Sequence, residues 1–557
     1  RRHQLATDQR RVHGPAGDGG SAHADGLGHT PQPHVHTGGA LDGHVHHHGQ
    51  GADIEDTGAQ AHAEQGRQKQ GLEAQQCHDA QGKETGRRRG AAKQRQGLAR
   101  DSAQAAEHAH GHHAEENAAT PDRLIAGGGL DVRAEDLGAE DLDQAFLQEQ
   151  GEDRAGDEGK EQAGLAVAGD ETPGCAERVH LNNAGAALPP KPVIDTMQEY
   201  LQLEAKVGGY EAAALIREEK AAFYEGVAQL LNSKPGQIAF AGSATLAYNT
   251  ALSSIPFQKG DVILTTDDDY VSNQIAFLQL QQRFGIQLIR TSSLPQGGVD
   301  PETVENLIKK YQPKLVAVTH IPTNSGLIQE VEAIGQICRD AGIWYLVDAC
   351  QSAGQLPLDV QEIGCDFLTA TSRKFLRGPR GGGFLYVSER VLQAGLEPLY
   401  MDLHGARWLT PDSYEPRPGA VRYETFESSY AVLLGLRAAV EYAIGIGMDK
   451  ITPRIQRLSE QLRETLQRRG FQVLDKGIRR GGIVTVSVPG WQPSELIAAL
   501  RSRNINASIA SQDSAVIDFT RKGVEWALRF SPHYYNTEDE IEQAAATLQE
   551  LHKQGPA

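Results

Sequence analysis

Two short stretches of this chain end in residues that could share one reaction. They are Tyr345-Leu-Val-Asp348-Ala-Cys-Gln351 and Leu368-Thr-Ala-Thr371-Ser-Arg-Lys374, and their acid and lysine lie 26 residues apart. Each begins as a short apolar run, the mark of a buried strand, and each ends on polar or charged groups. Strand ends are where open α/β sheets place their ligands. A carboxylate at one end and a lysine at the next suit pyridoxal phosphate: the acid keeps the pyridine nitrogen protonated, and the amine forms the Schiff base with the aldehyde.

Three further elements precede this pair. Phe240-Ala-Gly242-Ser243-Ala244-Thr245 closes a short strand and opens a helix through Asn249 and Leu252. The unpaired N–H groups and positive dipole end of a helix N-terminus suit a phosphate, although a small-residue cap looks the same. Thr265-Thr-Asp-Asp-Asp269-Tyr270-Val-Ser-Asn273 stands at a second strand-to-helix junction, where Tyr270 can lie flat against a cofactor ring or simply cap a core. In Thr319-His320-Ile-Pro-Thr323-Asn324-Ser325-Gly326 a strand runs into a polar turn. Thr323 and Asn324 there either reach the cofactor's phenolic oxygen or the substrate, or form a plain turn. Gln351 is placed to bond the phenolic oxygen, and Thr371 and Arg373 flank the lysine where they can hold phosphate, Arg373 by a charge-assisted contact. The glycine-rich Arg377–Gly383 turn leads into Phe384-Leu-Tyr-Val387 and reads as a hairpin that fixes the lysine strand.

These elements need a scaffold, and from Arg178 onward the sequence supplies one. Apolar strands Val262–Thr265, Leu315–Val318 and Ile343–Val347 alternate with amphipathic helices such as Glu330–Ala341, where Val331, Ile334, Ile337 and Cys338 share a face. Repeated strand–helix–strand order implies a mostly parallel sheet covered on both faces. After about Arg417 the pattern changes to a long helix (roughly Ser429–Ile446), a second (roughly Thr452–Arg469) and short strands such as Gly482–Val488, a smaller α+β domain. The expected division is an extension over 1–176, a large cofactor-binding domain with its N-terminal arm over 177–416, and a small domain over 417–557.

Residues 1–176 are different in kind. They hold 17 Lys and Arg against 30 Asp and Glu, −13 of the chain's formal −19, and 16 of its 21 histidines. Bulky apolar residues are isolated, so this stretch cannot bury enough surface to offset the entropy of ordering it and is expected to be disordered. Some helix is expected around Ala134–Gln150, where Leu137, Leu142 and Phe146 recur. His44, His46, His47 and His48, then His108, His110, His112 and His113, raise the alternative of a metal-binding arm; no metal is expected at the chemical site itself. The acidic balance argues against nucleic acid. No apolar run reaches the roughly 18–20 residues of a membrane span. Five cysteines without paired spacing make a reducing cytoplasm the default.

Residues about 177–552 resemble the class V aminotransferase family of fold-type I pyridoxal-phosphate enzymes, from His180-Leu-Asn-Asn-Ala-Gly185 to Leu528-Arg529-Phe-Ser-Pro-His-Tyr-Tyr-Asn536-Thr537. That group includes cysteine desulfurases, selenocysteine lyases, isopenicillin N epimerases and the C–S lyase of ergothioneine synthesis. The resemblance implies an α/β fold-type I architecture, pyridoxal 5'-phosphate as cofactor and a homodimer with sites at its interface. His404, Trp408 and Arg417–Glu427 are candidates to reach across it. Lys374 becomes the Schiff-base lysine, Asp348 the pyridine-nitrogen partner and Gln351 a ligand of the phenolic oxygen. Ala244, Thr245, Thr371 and Arg373 become phosphate ligands, and Arg529 the anchor of the substrate carboxylate. Tyr270 falls where many members carry a stacking histidine. Arg373 replaces the histidine that desulfurases have before the lysine, and a guanidinium cannot shuttle protons near neutral pH.

The family divides after deprotonation at Cα. Persulfide transfer needs a mobile cysteine in the C-terminal part, and this chain has none after Cys365. The expected reaction is β-elimination from a small sulfur-containing amino acid, a C–S lyase. The alternative is amino-acid epimerisation with Tyr270 as the second acid, and desulfuration ranks below both. A non-enzymatic reading, in which the histidine-rich arm binds metal and the fold is a decayed scaffold, predicts a colourless protein.

Overall fold

The computed structural model describes residues 168–556. The histidine tracts and the helix expected over 134–150 lie outside them. Seven strands form the central sheet: β1 (Ile238–Ala241), β2 (Val262–Thr266), β3 (Gln287–Thr291), β4 (Leu315–Thr319), β5 (Trp344–Asp348), β6 (Phe367–Thr371) and β7 (Gly383–Val387), in spatial order β1-β7-β6-β5-β4-β2-β3. Pairs β2–β3, β2–β4, β4–β5 and β5–β6 are parallel, while β7 runs antiparallel to both its neighbours. Residues 315–318 and 345–347 are buried throughout because helices cover both faces, which is why these strands read as unbroken apolar runs rather than alternations.

Register aligns the chemistry. Thr319, Asp348 and Thr369 are neighbours across β4, β5 and β6, and Thr371 pairs with Gly383 on β7. The β6–β7 connection is the expected hairpin. Its turn is closed by bonds from Arg377 N to the Lys374 carbonyl (2.9 Å) and from Gly378 N to the Ser372 carbonyl (2.8 Å).

Helices α1 (Lys191–Val207) and α2 (Arg217–Leu230) precede the sheet, α3 (Ala244–Ser253), α4 (Val271–Phe284) and α5 (Val331–Ala341) cross over it, and α6 (Tyr430–Ile446) follows. α6 is nearly all apolar because it packs against α1 and α2 within the main apolar core, where Leu433, Leu434, Leu436 and Val440 are buried. α7 (Met448–Arg468) begins four residues before the expected helix and runs through Pro453. Burial of Ile451 beside Ile455 and Leu458 outweighs the one hydrogen bond that proline forfeits in the second turn. β10 (Gln472–Val473), β11 (Val484–Ser487), β12 (Ser508–Ser511) and β13 (Trp526–Phe530) form a second sheet in the order β10-β11-β13-β12. α7 and α9 (Glu538–Gln554) pack on it through Leu458, Leu462, Leu466, Ile541 and Leu548. Between β12 and β13 lies the short helix α8 (Val516–Lys522).

The packed body starts earlier than residue 177. Ala168 and Thr172 are buried, Tyr442 donates to Glu171 (2.7 Å), and the buried Arg377 guanidinium donates to the Thr172 hydroxyl. Arg377 also reaches the Leu188 carbonyl (3.0 Å) and the Tyr534 hydroxyl (2.7 Å), so one side chain clamps the arm, the hairpin and the C-terminal turn together. Compositional bias hides this short ordered lead-in. Among the described residues no single helix is long and apolar enough to cross a membrane, and no group of three or more His, Cys, Asp or Glu is placed to hold a metal ion.

Candidate active site

The carboxyl ends of β1, β2, β4, β5 and β6 converge on one cavity. Its walls include Ser243, Ala244, Thr245, Tyr270, Thr323, Asp348, Gln351, Thr371, Arg373 and Lys374. At one end Ser243 caps α3, its hydroxyl oxygen accepting from Leu246 N (3.1 Å). The first N–H groups of α3 therefore face the cavity without intrahelical partners, an anion site by construction. Gly383 permits this approach: a methyl there would lie 2.8 Å from the Ala244 nitrogen.

At the other end Asp348 is buried. Its Oδ1 accepts from Cys350 N (2.9 Å) and its Oδ2 from Asn273 Nδ2 (3.0 Å). Lys374 stands between the two ends with its Nζ 5.9 Å from the centre of the Tyr270 ring. Burial holds its amine below the ordinary lysine range; Cys350 and Asp348 oppose that shift, and Arg373 and Arg529 add to it. A neutral amine is the form that can act as nucleophile or base.

Arg373 lines the cavity and donates to the Gly185 carbonyl, while its own carbonyl accepts from Ala187 N (2.8 Å). The N-terminal arm thus closes over the lysine hairpin. Gln351 donates to the Ala184 carbonyl (3.2 Å), and its Oε1 is buried without a partner. Arg529, on β13, does not itself form the cavity wall. Its Nη1 donates to the Thr323 carbonyl (3.0 Å) and hydroxyl (2.7 Å), and its Nε to Ser508 (3.0 Å). Burial, with Arg373 nearby, lowers its guanidinium to about 10.

Ten of the eleven residues singled out in the sequence gather here or one bond away; Asn324 does not. Its amide donates to Asp518 of α8 (2.6 Å), an acceptor that draws it away from the cavity lined by its neighbour Thr323. Thr323 sits at the cavity but its hydroxyl serves Arg529, so its place is beside the carboxylate anchor rather than dedicated to the phenolic oxygen. Asn273 and Asp269 belong to the site's support without any role assigned from sequence; the signal for them is a strand-end run of three acids followed by Tyr270 and, one helical turn later, an amide.

A flat, phosphorylated pyridine fits these walls. The α3 N–H groups and Thr371 would hold the phosphate, the buried Asp348 carboxylate would face the ring nitrogen, Lys374 shares the same wall, and the unpartnered Gln351 Oε1 lies on a side chain of that wall. The model of the aminotransferase class-V family matches residues 179–544. A probable cysteine desulfurase of Methanothermobacter thermautotrophicus is 29% identical over 384 residues, covering 67% of this chain and 95% of that protein. The isopenicillin N epimerase of Streptomyces clavuligerus is 29% identical over 356 residues, covering 60% of this chain and 86% of its own. The apo structure of a cysteine desulfurase from Thermococcus onnurineus NA1 superposes with a TM-score of 0.65 at 27% identity, over 70% of this chain and 98% of that one. The chain belongs to the aminotransferase class-V family, has its fold-type I architecture, and is an enzyme whose cofactor is pyridoxal 5'-phosphate.

Proposed function

We propose that this enzyme breaks a carbon–sulfur bond in a small cysteine-derived amino acid by β-elimination. The observation that carries the reading is a buried lysine held toward its neutral form, in a chain with no cysteine beyond Cys365 to receive sulfur. Bound pyridoxal phosphate supplies the electron sink for charge that develops at Cα. Lys374 Nζ takes the Cα proton, the electron pair forms the Cα–Cβ double bond, and sulfur leaves with the Cβ–S pair. Arg529, held from two sides by Thr323 and Ser508, keeps donors for the substrate carboxylate. Asp348 would hold the ring nitrogen in its protonated form.

Desulfuration draws support from the desulfurase-named relatives, but the described cysteines suit it poorly. Cys338 and Cys365 are buried, with thiols that burial pushes up to about 12 and beyond the ordinary range respectively. Cys350 borders the cavity, and burial and then Asp348 keep its thiol protonated. Epimerisation is the second reading, supported by the epimerase relative and by Tyr270 sharing the cavity with Lys374.

We further infer a homodimer in the cytoplasm. The hairpin of β8 (Ala406–Thr410) and β9 (Ser413–Pro416) and the loop before it expose Leu399, Tyr400, Leu403, Trp408, Leu409 and Tyr414, an apolar set a second copy would cover. His404 and Trp408 are placed there.

The test is to purify the protein, record its absorption, and assay pyruvate with cysteine, cystine and a cysteine sulfoxide. Pyruvate from any of them, lost in Lys374→Ala, supports the lyase. Deuterium entering Cα without pyruvate replaces it with the epimerase. Sedimentation as a monomer overturns the dimer.

A further inference from the structure

Behind the cavity wall, the loop after β2 carries a carboxylate that the reaction itself does not use. Asp269 is buried, and five donors converge on it. Oδ1 accepts from Tyr270 N (2.7 Å), Asn273 Nδ2 (3.1 Å) and the Thr319 hydroxyl. Oδ2 accepts from the Thr265 hydroxyl (3.0 Å) and Gln274 Nε2 (2.9 Å). Burial pushes the Asp269 carboxyl up, whereas the hydrogen bonds favour its anion. Five partners on two oxygens hold this carboxyl in one orientation.

Asn273 Nδ2 has two hydrogens, and its two carboxylate neighbours are Asp269 at 3.1 Å and Asp348 at 3.0 Å. One amide therefore bridges both acids. The same Asp269 oxygen that holds Asn273 holds the backbone N–H of Tyr270, so the residue on the cavity face and the residue behind Asp348 hang from one point.

We propose that Asp269 and Asn273 are positioning residues that set the orientation and basicity of Asp348 toward the cofactor's ring nitrogen and fix the backbone under Tyr270. Neither touches the reacting atoms. The inference rests on the cofactor alone and holds whichever reaction the enzyme runs. The other titratable groups facing Asp348 are Lys374 and Cys350, with Tyr248 of α3 facing both acids. Loss of the Asn273 donor removes a hydrogen bond from the Asp348 anion and makes that carboxylate more basic. With less positive charge on the ring, the nitrogen that Lys374 would share with the bound cofactor would hold its own proton more firmly, and the colour change it governs would move to higher pH.

The test is a pH titration of the absorption of the holoenzyme, with the cofactor dissociation constant measured alongside. Asn273→Ala is expected to raise the spectrophotometric pKa by about one unit and weaken cofactor binding about tenfold. Asp269→Ala is expected to shift the titration in the same direction, and adding Asn273→Ala to it is expected to give clearly less than the sum of the two shifts, since Asp269 reaches Asp348 through the Asn273 amide. An unshifted titration in folded Asn273→Ala, or full additivity in the double variant, overturns the proposal. If Asn273→Ala does not fold, the isosteric Asn273→Asp serves: it sets an acceptor between two carboxylates, and an unshifted titration there also overturns it.

Discussion

Gly383→Ala should damage the cofactor site through the backbone alone. Gly383 begins β7 and pairs with Ala241 on one side and Thr371 on the other, so it cannot move without breaking two ladders. A methyl group built there would lie 2.7 Å from the Ala370 carbonyl oxygen, 2.8 Å from the Ala244 nitrogen and 3.0 Å from the Ser243 carbonyl carbon. All three obstacles are backbone, so relief requires α3 to retreat by roughly half an ångström or the sheet to open, a typical overpacking cost of about 1–3 kcal/mol. The methyl also sits over the first N–H of α3, the group that would hold the phosphate. Cofactor affinity should therefore fall more than stability does, by at least about tenfold for each 1.4 kcal/mol lost. The assay is a titration of apoenzyme with pyridoxal phosphate followed by fluorescence, with thermal unfolding of the apo form beside it. Gly236→Ala is the control: a methyl there meets nothing within 4 Å, so both readouts should stay at wild type. A Gly383→Ala protein that binds cofactor as tightly as wild type would refute the placement of the phosphate at the α3 N-terminus.

Arg463 and Asp475 form an ion pair with side chains 1% and 0% exposed, and Arg463 also bonds the Gly481 and Ile483 carbonyls (2.8 Å each). Arg463→Met should cost about 3–5 kcal/mol in urea unfolding by leaving Asp475 buried without its cation. His320 is fully buried with both ring nitrogens unpartnered, and burial drops its pKa to about 3. Its folded value lies below the unfolded one, so its contribution is complete above about pH 6.5 and is lost as pH falls toward 3; His320→Leu should flatten that part of the stability–pH curve. A chain beginning at residue 168 should match the full chain in thermal unfolding. One beginning at 178 should lose roughly 2–3 kcal/mol, because the buried Arg377 then lacks its Thr172 partner.

What the sequence made legible was whatever depends on residues near one another in the chain. Each strand end declares itself by an apolar run meeting a polar residue, and parallel α/β topology brings such ends together without knowledge of any contact. That logic is enough to place Asp348, Lys374, Thr371 and the α3 N-terminus. It fails where adjacent residues diverge: Thr323 and Asn324 look interchangeable in the sequence, yet one meets Arg529 and the other Asp518, residues some 200 positions away. The neighbours of α6 are equally hidden in the sequence: its apolar faces pack on α1 and α2, more than 200 residues earlier in the chain.

Supporting polar groups are harder still, because their partners cannot be inferred from composition. Glu424 is the sharpest case. It is buried and accepts from Phe240 N (2.7 Å), the Tyr224 hydroxyl (3.2 Å) and His404 Nε2 (3.0 Å). Phe240 N belongs to β1, the strand leading into the phosphate-facing turn, and His404 to the loop beneath the exposed hairpin. One carboxylate thus joins the cofactor site to the surface proposed for the second subunit, and a buried acceptor with three donors is costly to displace. Any shift of the 402–405 loop on dimer formation must be absorbed by Glu424 or passed to β1. The parts of this site that perform chemistry are local in sequence, while the parts that make it rigid are contributed across 180 to 200 residues. For that reason a chain of this family can be recognised from its strand ends, whereas what holds them at working geometry has to be read from the fold.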